Sequence, residues 1–133
     1  MTRVDLRTNR ISATIPVGPN AGGLAAGERA VWVTHGGSMS RIDPQTNRIV
    51  QTFRVGAAVR AVAVSRDALF VADAGDRAVK RVDPHSGRVT AVYRFGGRQP
   101  SRLLLRGNAL WVTSYVVSSY DCRNVITKID LKA

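Results

Sequence analysis

The chain has one cysteine, one glutamate and three lysines in 133 residues. The lone Cys122 excludes an intrachain disulfide framework and says almost nothing about redox compartment. No run of 18 apolar residues occurs, so no transmembrane helix is expected. The opening "MTRVDLRTNR" has no apolar h-region, so no signal peptide is expected. The spacing of His35, His85 and Cys122 does not suit zinc, and Asp73 with Asp76 is too sparse for a calcium loop. No metal or other cofactor is therefore expected.

Against these absences stand 44% apolar residues and a net charge of +11. The apolar content is that of one folded domain rather than a disordered chain. Seventeen of the twenty basic residues are arginine. Such a charge can mark a polyanion binder, so its placement matters.

The dominant feature is a repeat. "TRVDLRTNRI" at residue 2, "SRIDPQTNRIV" at 40, "KRVDPHSGRV" at 80 and "TKIDLKA" at the end are copies of one phrase. Its aspartates, Asp5, Asp43, Asp83 and Asp130, recur at intervals of 38, 40 and 47 residues. Aromatic triplets "VWV" at 31, "LFV" at 69 and "LWV" at 110 keep the same order, as do apolar runs ending at Gly18, Gly56 and Gly96. Each unit resolves into four short strands, A to D, separated by turn signals. In the first unit these are "GGLAA" (22–26), "AVWVTH" (30–35), "SMSRID" (38–43) and "RIVQTFRV" (48–55). The second reads "AVAVS", "ALFVAD", "AVKRVD" and "RVTAVYRF". No segment sustains a helical period. The expected fold is all-β: β-propeller blades of four antiparallel strands, about three of them. The expected boundaries are 1–18 for strands C and D of an incomplete blade, 22–56 and 59–96 for complete blades, and 101–133 for a blade lacking its outer strand.

Within the phrase, Asp43 precedes Pro44, which presets the first corner of a turn, and the aspartate can accept a backbone N–H. Asn47 and its equivalent Gly87 suit a residue at positive φ. Asp43 and Asp83 are thus read as turn formers rather than catalytic carboxylates. Trp32, Phe70 and Trp111 are read as blade core. Nine basic residues (Arg3, Arg41, Arg81, Lys128, Arg10, Arg48, Arg88, Arg54 and Arg94) hold repeat-locked positions on outer strands. Charge there protects edges from aggregation. No aromatic platform interleaves with it, so no specific nucleic-acid binding is expected.

The stretches "VWVTHGGSMSRIDPQTNRIVQTFRVG" and "LFVADAGDRAVKRVDPHSGRVTAVYRFG" resemble the bacterial YVTN-type, YncE-like propeller repeats, with "VWVT", "LFVAD" and "LWVTS" where that family has a "YVAN"-like strand. The resemblance covers nearly the whole chain. It implies a ring of about seven blades, often in secreted or periplasmic proteins or appended to larger ones; the sequence itself leaves localisation unknown. Three blades are too few for a ring. Two readings follow: a piece of a longer propeller, or half of a homodimeric six-bladed ring in which the strand at 10–18 completes the neighbour's last blade. The second strand C, "TRVDL", is redundant with "TKIDL" in that ring.

In a propeller the B–C and D–A loops share one face, which commonly holds ligands. On it fall His35, Asp73, Asp76, Arg60, Arg98, Arg102, Tyr115 and Tyr120, the candidate ligand-binding residues. The loop "SYVVSSYDCRN" (114–124) breaks the repeat and holds both tyrosines. His85 falls on the opposite face. The leading functional expectation is a non-enzymatic binding or scaffold module for a small molecule or protein of unknown identity. The alternatives are an enzyme similar to the streptogramin B lyases, to which only His35 could be carried over because Glu28 lies in a far-face turn, and a sensor domain of a larger bacterial regulator or kinase.

Overall fold

The repeated phrase builds the same tight turn three times. In the computed structural model, which describes residues 1–27, 29–116 and 123–131, Asp5, Asp43 and Asp83 each accept a backbone N–H two residues on, from Arg7, Gln45 and His85 at 2.7–2.8 Å. The N–H groups of Ser86 and His85 hold the Asp83 carboxyl below its ordinary value. Asn9, Asn47 and Gly87 close these turns at φ of 54°, 57° and 72°. Asparagine and glycine tolerate that left-handed region, which costs other residues about 1–2 kcal/mol. At Gly87 a Cβ would also land on the ring of Phe53 from the preceding unit, so asparagine does not fit there.

Each turn joins two strands of an antiparallel meander. β1 (Thr2–Asp5) and β2 (Arg10–Thr14) form a two-stranded hairpin. β3 (Ala21–Gly27), β4 (Ala30–His35), β5 (Ser38–Asp43) and β6 (Arg48–Arg54) form the first four-stranded blade in chain order. β7 (Val59–Val64), β8 (Leu69–Asp73), β9 (Ala78–Val82) and β10 (Val89–Arg94) form the second. β11 (Gln99–Arg106), β12 (Ala109–Tyr115) and β13 (Asn124–Asp130) form the third, which has no outer strand among the described residues. No helix occurs among the described residues. The fold is all-β and blade-like, as the repeat predicts.

Alternation along each strand sends its side chains to two faces. One face, here called leading, turns to the preceding blade, and the trailing face turns to the next. Trp32 and Met39 on the trailing face of the first blade pack with Leu69, Val71 and Val82 on the leading face of the second. Phe70 and Val79 meet Leu110, Val112 and Ile129 in the same way. Val33 and Ile42 pack on Ile15 and Val17, which follow from the β1–β2 hairpin. Each fully buried side chain of this size stabilises by about 1.5–3 kcal/mol relative to exposure. Trp32 also stacks on Phe53, centroids 6.2 Å apart.

One expected core residue departs from this pattern. Trp32 and Phe70 are buried, but Trp111 is 39% exposed. Its position in the strand is equivalent, yet among the described residues no following blade covers its face. Leu104 at 64% and Ile126 at 69% share that exposure.

The turn chemistry makes a sharp comparison. Asn47→Ala is expected to unfold at lower urea than Asn47→Gly, by about 1 kcal/mol, since both lose the amide but only glycine relieves the φ of 57°. Equal stability of the two variants would contradict this account.

Candidate functional site

The loop face is laced together by backbone bonds between successive units. Val59 N–H donates to Gly36 O at 2.7 Å, and Ala74 N–H to Ala58 O at 2.9 Å. Such close passage needs small residues. A Cβ on Gly56 would collide with the Asp73 carboxylate, and one on Gly37 with the carbonyl oxygen of Gly56.

Asp73 lies at the end of β8 with no exposed surface. Its Oδ1 accepts the N–H groups of Ala58, Gly75 and Asp76, and its Oδ2 accepts Ala57 N–H at 3.0 Å and Lys80 Nζ at 2.9 Å. Lys80 also donates to Asp76 Oδ2 at 2.5 Å and to Val55 O at 3.1 Å. Burial opposes ionisation of Asp73. The Ala58 N–H, the Lys80 ammonium and the Ala57 and Asp76 N–H groups outweigh it and hold the carboxyl at about 2. Burial likewise opposes the charge on Lys80, but Asp76 and Asp73 outweigh it and raise its pKa. The group ties the connection 55–58 and the B–C loop of the second blade to one buried charge pair. Asp73, placed by sequence among the ligand-facing residues, is therefore turned inward, with both oxygens occupied. Asp76 stays half-exposed, paired to Lys80.

Lys80 escaped the sequence reading, although the signal was available. Strand register makes His35, Asp73 and Ser114 equivalent, and Ser40, Lys80 and Thr127 equivalent. Each blade thus sets a polar pair at one place on its leading face. In the first blade the pair is His35 Nε2 with Ser40 Oγ at 2.7 Å, and Ser40 contacts Thr52 Oγ1 at 2.8 Å. The third blade has the hydroxyls of Ser114 and Thr127 there. His35 is half-buried, its ring packed under Gly18, and among the described residues no group of three His, Cys, Asp or Glu could share a metal ion.

The remaining candidates divide. β7 lies between β3 and β11 and touches both. These three inner strands line a groove of about 850 Å³, open on one side. Its floor is small: Gly22, Gly23, Ala57, Ala58 and Ala61. Arg60 and Arg102 are exposed in it, beside Asn20 and Ser101. Arg98 is elsewhere, in a shallow recess with Tyr93 and Thr127. Tyr115 is half-buried at the end of β12. Tyr120, with Glu28 and Cys122, lies outside the described residues.

Comparison with known proteins supports the fold. No protein-family model matches the sequence, and no curated protein matches it. The structure is similar to Kuenenia stuttgartiensis hydrazine synthase, with a TM-score of 0.85 and 19% identity over 97% of this chain. It spans 39% of that chain. It is also similar to the computationally designed Ika4 protein, with a TM-score of 0.65 and 10% identity, covering 90% of this chain and 96% of that one. The designed Ika8 protein gives 0.60 and 13%, covering 79% and 36%. At these identities the likeness concerns the fold alone.

The Asp73 cluster sets the acid stability. A carboxyl at about 2 in the fold and near its ordinary 3.8 when unfolded contributes stability above pH 3.8 that is lost as pH falls toward 2. The expected loss is about 2 kcal/mol. Asp73→Asn should cost about 1.5–3 kcal/mol at pH 7, because the amide turns a donor toward Ala57 N–H and Lys80 while Lys80 keeps Asp76 and Val55 O, and it should flatten this acid limb. Urea titrations from pH 2 to 7 of both proteins check it; an unchanged acid limb in the variant would place the effect elsewhere.

Proposed function

We propose that the chain is a non-catalytic binding module whose inner-strand groove takes a small anionic ligand. The observation that carries the reading is the groove of about 850 Å³ with Arg60 and Arg102 over a floor of glycine and alanine. The volume is in the range of small-molecule sites. Guanidinium groups recognise carboxylate and phosphate through paired N–H donors, and Asn20 and Ser101 add neutral ones. Small floor residues expose backbone that a ligand can approach closely. Of the two acids expected to face the ligand, Asp73 is buried and Lys80 offsets one of the two charges, which leaves a single negative charge against the two arginines.

The repeat and the propeller-like neighbours favour reading the chain as a YVTN-type arc that works within a larger ring. The chemistry of hydrazine synthase is not transferred to this chain.

Isothermal titration with citrate and with pyrophosphate tests the groove. Binding should weaken about 10-fold in Arg60→Ala and in Arg102→Ala, and should weaken with added salt. Arg98→Ala, outside the groove, should bind as the parent does. Absence of binding by both probes, or equal loss in all three variants, would remove the proposal.

A further inference from the structure

The exposed trailing face of the third blade is shaped for a partner, and the other faces of the same chain show its form. Strand register aligns the inner strands position by position. Ala25, Ala63 and Leu104 are equivalent on the trailing face, paired with Trp32, Phe70 and Trp111. Ala26, Val64 and Leu105 are equivalent on the leading face, paired with Val31, Leu69 and Leu110. Between the first two blades Ala25 and Val64 join one core. Between the second and third, Ala63 and Leu105 join the next. In both, a small trailing residue meets a large leading one. The two uncovered positions reverse the sizes: Leu104 is large on the free trailing face, and Ala26 is small on the part of the first blade's leading face that Ile15 and Val17 leave open. Leu24, beside Ala26, is 58% exposed, whereas its equivalent Val62 is 6% exposed under the first blade.

The outer edge repeats the match. β2 pairs with "TRVD" of β1, with Asp5 opposite Arg10 and Val4 opposite Ile11. β13 ends in "TKID" (127–130), the same pattern, and no strand pairs with its outer edge among the described residues. β1 is four residues long and mostly exposed, and is held by Met1 paired with Ile15 and by Arg3 donating to Pro44 O and Asn47 Oδ1.

We propose that a second copy of this chain covers the face. β13 of one copy takes the place of β1 beside β2 of the other, and Leu104, Trp111 and Ile126 close on Leu24, Ala26 and Val31 of that copy. The contact is head-to-tail and occurs twice, which gives a closed ring of six blades. Exchange of β1 for β13 replaces one strand pairing by another and gives up the Met1 and Arg3 bonds, so the gain comes from burial of the apolar surface now exposed. Arg102 stands where the other two blades have small residues, Gly23 and Ala61, and it fits by lying along the groove it already lines. The ring would enclose that groove with a second one.

Light scattering after size-exclusion chromatography of the full chain tests this. One species at twice the 14.4 kDa chain mass is expected. Ile126→Lys on the trailing face and Leu24→Lys on the leading face should each halve the mass, with circular dichroism unchanged. A folded monomeric parent, a polydisperse or aggregated parent, or a dimer indifferent to both substitutions would each overturn the proposal. If one variant fails to fold, the other decides.

Discussion

A buried carboxylate with five donors holds the two complete blades in register. Asp73 is cut off from water, and an isolated charge there would be costly. It is tolerated because the N–H groups of Ala57 and Ala58 arrive from the first blade's outgoing connection while those of Gly75 and Asp76 arrive from its own loop. Lys80 supplies the countercharge and reaches Val55 O as well. The bond set is specific in a way apolar packing is not. A sheet face of valines and leucines tolerates small slides, whereas this carboxylate accepts its donors from only one relative placement of the blades. The glycines nearby follow from it, Gly56 above all, whose hydrogen gives the carboxylate room.

From that fixed pair the rest of the arc follows by repetition with variation. Every leading face has a polar pair near the loop end and valine, leucine or isoleucine farther out. The pairs differ in strength, from His35 with Ser40 to Asp73 with Lys80. Inner strands differ too: Gly23 brings β3 and β7 so close that a Cβ would sit 2.8 Å from the Ala61 Cα. β3, β7 and β11 line the groove, and the same small residues that permit the approach form its floor. Structure and candidate binding surface therefore arise from one set of glycines and alanines.

The candidate site was only partly legible in the sequence. Repeat position assigned His35, Asp73 and Asp76 to the loop face, but it could not show which way a carboxylate turns. That depends on N–H donors contributed by a connection 15 and 16 residues away. Lys80 carried a usable signal, as a lone lysine in an apolar strand of an arginine-rich chain, at the position equivalent to Ser40. Arg60 and Arg102 were named, but their shared groove is a product of three strands far apart in sequence. Trp111 was misplaced for a related reason: its strand position matches Trp32, while its burial depends on a neighbour.

The sequence by itself determined the strands, their order and their turns. Those properties are local, set by alternation of side chains, by aspartate accepting the N–H two residues on, and by asparagine or glycine at positive φ. The tertiary structure alone decided which acids face inward, which aromatic is covered and where the arginines converge. These depend on contacts between blades, and the energy of a buried charge or an apolar face is fixed by what stands opposite it rather than by its own place in the chain.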